Sequence, residues 1–134
     1  MNELTEEDAV LAFAKAWNRL EPEGFLTLLA PDARYASQWV FEELVGERVV
    51  GDYLRGKMRT VRAHGVNDPH SRVHVEIGRT TLGNEGRPCA FMTQGNTNEV
   101  QAAVVFEISE GKVSRYDLCV PQPLGAVRTG VFPL

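Results

Sequence analysis

Leu28-Leu29-Ala30-Pro31-Asp32-Ala33-Arg34-Tyr35 is the point at which the chain changes its period. Before it, apolar residues recur every three or four positions; directly after Pro31-Asp32 comes the first strand-like alternation. Upstream, Thr5 is placed to cap a helix, Glu6, Glu7 and Asp8 favour its positive end, and Asp8 stands at the capping-box spacing from Thr5. Val10, Phe13, Trp17 and Leu20 form one apolar stripe. A second helix is expected from Pro22 to Leu29, where proline suits the first turn, with Pro31-Asp32 ending it. Ala33 to Val40 then reads as a strand, with Tyr35, Ser37 and Trp39 on one face and Arg34, Ala36 and Gln38 on the other.

Further along, Phe41–Val45 reads as a hairpin-like excursion before Gly46. Glu47–Ala63 follows as a third helix that buries Val50, Tyr53, Leu54, Met58 and Val61, with Gly65 as its stop. From Arg72 the period becomes two: Arg72, His74 and Glu76 alternate with Val73, Val75 and Ile77. Turns at Gly83–Gly86, Gly95–Asn98 and Glu110-Gly111 separate Pro88–Gln94, Val100–Ile108 and Lys112–Val120 as further strands. Helices first and a strand meander afterwards predict an α+β domain, with the helices on one face of a curved sheet. The tail from Pro121 to Leu134 is expected to be extended or packed along the surface.

The 134 residues fit one domain, and a 43% apolar share supports a buried core. A formal charge of −4 argues against general nucleic-acid binding, which needs a basic face. The opening MNELTEEDAV lacks the basic-then-apolar order of a signal peptide, and no apolar run approaches the roughly 18 residues that span a bilayer. Cys89 and Cys119 show no CxxC spacing, so two thiols in a cytoplasmic protein is the expectation, with a disulfide as the alternative.

The order helix–helix–strand–helix–strands resembles the nuclear transport factor 2-like superfamily, which includes ketosteroid isomerases, SnoaL-like polyketide cyclases, scytalone dehydratases and limonene epoxide hydrolases. The local match is Leu28–Tyr35, then Leu44-Val45-Gly46, then Val50 and Tyr53-Leu54. The resemblance implies a cone-shaped α+β fold spanning 1–134, with three N-terminal helices packed on a curved, mostly antiparallel sheet and 121–134 as an extended tail. It also implies a homodimer formed through the sheet face. An apolar pocket walled by Phe13, Trp17, Tyr35, Ser37, Ala102 and Tyr116 is expected, with Tyr53, Leu54, Val104 and Leu118 completing the wall. In the isomerase register the general-base Asp falls on Ser37, the oxyanion Tyr on Phe13, and the second oxyanion donor, a protonated Asp, on Ala102. A proton shuttle needs a tuned carboxylate and an enolate needs aimed donors. None of these three residues supplies either, so ketosteroid isomerisation is not expected.

The remaining acid–base candidates are Asp117, His74 and Tyr35. Alternation puts Tyr116, Leu118 and Val120 on the pocket side and Asp117 away from it, where pairing with a base on a neighbouring strand is the expected role. An Arg72–His74–Glu76 row reads more readily as a solvated or interfacial face than as a catalytic array. His64 and His70 fall in a loop, and the three histidines share no ligand spacing, so no metal is expected. No GxGxxG, GxxxxGKS or GxSxG is present, and no cofactor is expected. Cys119 has no adjacent base to make it a nucleophile. The expected function is binding of a small apolar molecule. The alternatives are a SnoaL-like lyase, isomerase or cyclase using Asp117, His74 or Tyr35, and an interaction protein that works through its sheet face.

Overall fold

The computed structural model describes residues 3–37, 42–65, 67–80, 86–95, 99–119 and 126–134. Helix α1 (Glu6–Arg19) begins at a complete capping box: the Asp8 amide donates to Thr5 Oγ1 at 3.1 Å and the Thr5 amide to Asp8 Oδ2 at 3.0 Å. Such a cap contributes about 1 kcal/mol. The helix buries Ala9, Val10, Phe13, Ala14, Ala16 and Trp17, and Leu20 closes it in the left-handed conformation.

Helix α2 (Glu23–Leu26) is shorter than expected, and strand β1 (Leu29–Ser37) starts before the proline rather than after it. Pro31 is tolerated because the pairing of β1 slips between Leu29 and Arg34, and both Pro31 and Asp32 are exposed there. A bulge of this kind frees a strand from needing the N–H that proline lacks. Strand β2 (Leu44–Val45) pairs antiparallel with β1, Leu44 opposite Tyr35. Gly46, at φ 100°, turns the chain into helix α3 (Glu47–Gly65), and its amide donates to Ala33 O at 2.8 Å. Val50, Leu54 and Met58 are buried on α3, while Tyr53 and Val61 are only half-buried. A 3₁₀ turn at Pro69–Ser71 holds His70 and precedes strand β3 (Val73–Thr80).

Strands β4 (Arg87–Gln94), β5 (Val100–Ser109) and β6 (Lys112–Cys119) form the meander, and β7 (Ala126–Arg128) is an additional short strand within the C-terminal tail. The curved sheet runs β2-β1-β6-β5-β4-β3-β7, and among the described residues only the β1–β6 pairing is parallel. Glu110 and Gly111, at φ 53° and 75°, make the two-residue hairpin between β5 and β6. Expectations for Gln38–Val40, Trp39 among them, for Phe41, Gly83–Glu85, Asn96–Asn98 and Val120–Gly125 lie outside the described residues.

One face of the sheet carries Val75, Ala90, Ala102, Val104, Phe106 and Tyr116 against the helices, and these join Phe13 and Phe25 in a single core. Phe13 meets Phe25 edge-on at 5.2 Å and Phe106 at 5.4 Å, while Phe25 meets Tyr116 at 5.3 Å. Aromatic pairs in these orientations each contribute about 1 kcal/mol beyond their burial. This closely packed cluster fills one end of the space between helices and sheet. The other end is open.

Candidate functional site

The open end is a cavity of about 310 Å³. Phe13 and Tyr116, each 1% exposed, form its floor where it meets the aromatic core. Trp17 comes from α1, Tyr53 and Leu54 from α3, Tyr35 and Ser37 from β1, and Ala102 and Leu118 from β5 and β6. Thus nine of the ten expected pocket residues stand on one wall. The tenth, Val104, does not: it is fully buried behind the cavity, opposite Leu118 on one side and Ala90 on the other.

The wall also contains Lys57, Val61, Val73, Met92, Thr93, Gln94 and Gln101. Lys57 and Val61 follow Tyr53 at helical steps of four, so they share its face and were readable from spacing. Thr93, Gln94 and Gln101 were not readable. Between Met92 and Thr93 the β4–β5 pairing slips, Met92 facing Ala102 and Thr93 facing Val100, so Gln101 is an extra residue. A bulge breaks the strict alternation on which a face assignment depends. Lys57, Gln94 and Gln101 are exposed, which places the mouth on their side.

Rings line the route from floor to mouth. Tyr116 lies 5.8 Å from Phe13 and 4.7 Å from Tyr35, Tyr35 lies 5.3 Å from Tyr53, and the Lys57 ammonium stands 5.5 Å from the Tyr53 ring centre. Burial pushes the Tyr35 hydroxyl well above the ordinary phenol range; a hydrogen bond with Ser37 opposes the rise and Tyr53 adds to it. Burial likewise raises Tyr116, with smaller contributions from Tyr35 and Tyr53. Both phenols are therefore neutral hydrogen-bonding groups near neutral pH. Trp17 Nε1 is buried and has no hydrogen-bond partner among the described residues, an uncommon state for an indole donor.

The three acid–base candidates part company. Tyr35 lines the cavity. Asp117 lies on the outward side of β6, opposite Val105 and Ala36, and Arg115 Nε donates to its two oxygens at 3.1 and 3.0 Å. Among the described residues its partner is thus on its own strand, two residues back, rather than on a neighbouring one. His74 lines a neighbouring pocket with Arg62 and Arg72, and its ring meets Phe132 edge-on at 6.4 Å. Glu76, expected in a solvated row with Arg72 and His74, is 1% exposed and bound by Arg128. Burial raises the Cys89 thiol to about 12 and the Cys119 thiol in the same direction; both are free.

No protein-family model and no curated protein sequence matches the chain. Solved structures do. A SnoaL-like protein of unknown function from Burkholderia thailandensis E264 is 19% identical with a TM-score of 0.59, over 96% of this chain and 100% of that one. A nuclear transport factor 2-like protein of unknown function from Cytophaga hutchinsonii is 13% identical at a TM-score of 0.56, over 92% and 96% of the two chains. An LEH-like epoxide hydrolase from M. tuberculosis is 20% identical at a TM-score of 0.53, over 87% and 82%. The chain has the nuclear transport factor 2-like fold. At these identities the likeness is one of fold, and a fold of this type hosts more than one activity.

Within the nuclear transport factor 2-like fold, the positions assigned by resemblance to isomerase chemistry converge in space. Phe13, Ser37 and Ala102 come from α1, β1 and β5, yet all three face the one cavity. The cavity wall among the described residues carries no carboxylate and no imidazole.

Proposed function

We propose that this protein binds a small, largely apolar molecule in the cavity between α1, α3 and the sheet, and does not catalyse ketosteroid isomerisation. The observation that supports this reading most directly is the wall itself: aromatic and aliphatic side chains enclose about 310 Å³, with a few hydroxyls and amides placed along it. That is the composition of a small-molecule pocket. At the three positions that the resemblance assigns to isomerase chemistry, Phe13, Ser37 and Ala102 supply neither a tuned general base nor the expected oxyanion donors.

A neutral naphthyl probe should quench Trp17 fluorescence in a Trp39→Phe background, in which Trp17 is the remaining tryptophan. Ala102→Leu fills the cavity from its sheet side, and it should weaken that binding at least about tenfold, a loss of roughly 1.4 kcal/mol. The thermal midpoint should stay near that of the parent, because the added atoms enter empty space. Unchanged affinity in the Leu variant would remove the cavity as the binding site.

A second reading, catalysis in the SnoaL-like manner, retains Tyr35 as its one candidate inside the cavity. A neutral, hydrogen-bonded phenol can polarise a substrate carbonyl as a donor. Asp117 and His74 would need a substrate outside the cavity.

We also propose that two copies pair through the outward face of the sheet, where half-buried Ala103 and Val105 are flanked by Arg115 and Asp117. Sedimentation at micromolar concentration should give twice the 14.9 kDa chain mass. A single species at the chain mass would refute the pairing.

A further inference from the structure

We propose that the ligand is an amphipathic anion, an apolar body carrying one carboxylate, with Lys57 as the counter-ion at the cavity mouth. The proposal rests on the cavity-binding reading and adds the ligand's charge and orientation to it.

The chain is acidic overall, with 18 acidic against 14 basic side chains. The cavity wall reverses that balance: Lys57 is the one charged group among its described residues. No acidic side chain is there to neutralise it, and no salt bridge includes Lys57 among the described residues. By contrast Arg55, two positions earlier on α3, is engaged by both Glu23 and Asp52. Its lack of a carboxylate partner therefore sets Lys57 apart from the neighbouring cation on its own helix.

Position agrees with charge. Lys57 follows Tyr53 by one helical turn, and its ammonium stands 5.5 Å from the Tyr53 ring centre. From there the rings continue inward through Tyr35 to Tyr116 at 5.3 and 4.7 Å. A ligand with its carboxylate at Lys57 lays its apolar body along this ring wall, towards the Phe13 floor. The exposed amides of Gln94 and Gln101 border the same mouth and can donate to the second carboxylate oxygen. Among the described residues a cationic ligand finds no carboxylate on this wall, a second anionic group finds no second cation, and the reversed orientation buries a carboxylate against apolar groups, which is costly.

The test compares 2-naphthoate with 2-naphthamide, equal in shape and differing in charge, by calorimetric titration of the full chain. The parent should bind the acid about two- to fivefold more tightly than the amide, the range for a solvent-exposed ion pair. Raising salt from about 0.05 to 0.5 M should erase that preference and leave amide binding unchanged. Lys57→Met should bind the two equally, and Lys57→Arg should restore the preference. Equal binding by the parent, or a preference that survives in Lys57→Met, overturns the anion assignment while leaving cavity binding in place. Failure of both compounds to bind overturns both readings.

Discussion

Glu76 carries a carboxylate and is 1% exposed, so its partners decide whether it costs or contributes stability. Arg128 Nε donates to Oε1 at 2.8 Å, and the Gly130 amide donates to Oε2. Removing one partner of a buried pair leaves an uncompensated charge, which costs more than the intact pair contributes. Arg128→Met should therefore destabilise the fold by about 3 kcal/mol in urea unfolding. Combining it with Glu76→Gln should recover part of that loss, since the amide oxygen still accepts from Gly130 and no bare charge remains. An Arg128→Met chain as stable as the parent would mean that the Gly130 amide and the remaining neighbours suffice.

The same pair acts at the scale of an element, because Arg128 lies on β7. This strand adds to the edge of β3, with Gly78 opposite Arg128, and so covers a row of backbone groups that would otherwise be an open template. The backbone approaches closely there: a Cβ on Gly78 would lie 2.6 Å from Val127 O and collide with the Phe91 ring. Asn18 ties the end of the tail to the helices, donating to Val75 O and Pro133 O and accepting from the Val75 amide. None of this was legible in the sequence. A three-residue strand has no period of its own, and the partner of Glu76 lies 52 positions away. What was legible had local causes: the Thr5–Asp8 box, the Phe13–Trp17 stripe, the Glu110-Gly111 hairpin and the Val50–Leu54–Met58 stripe on α3. Two departures, the early start of β1 and the presence of Gln101 on the cavity wall, share one origin. At Pro31 and at Gln101 the register slips against a partner strand, and alternation read along a single strand does not contain its partner.

For the whole molecule, one set of rings serves both stability and the site. Tyr116 packs with Phe106, Phe25 and Phe13 on its core side and with Tyr35 on its cavity side, so the floor of the cavity is the roof of the core. That sharing ties folding to pH at the alkaline end. Burial raises the hydroxyls of Tyr35 and Tyr116 above their ordinary value of 10.0. Between the unfolded and the folded value the native chain holds more protons, so stability falls as pH increases. The contribution is complete below pH 10.0 and is lost progressively above it, the folded chain opening to let the phenols ionise. In Tyr53→Phe only Tyr35 and Tyr116 remain of the three tyrosines. Phenolate absorbance near 295 nm should then rise in step with the loss of far-ultraviolet ellipticity. Smooth titration near pH 10 with the ellipticity intact would show that the two rings are open to water. A ligand seated against them binds the folded chain alone and stabilises it by mass action. Saturating naphthoate should therefore move this alkaline midpoint upward, and the same concentration should move the midpoint of Ala102→Leu by clearly less.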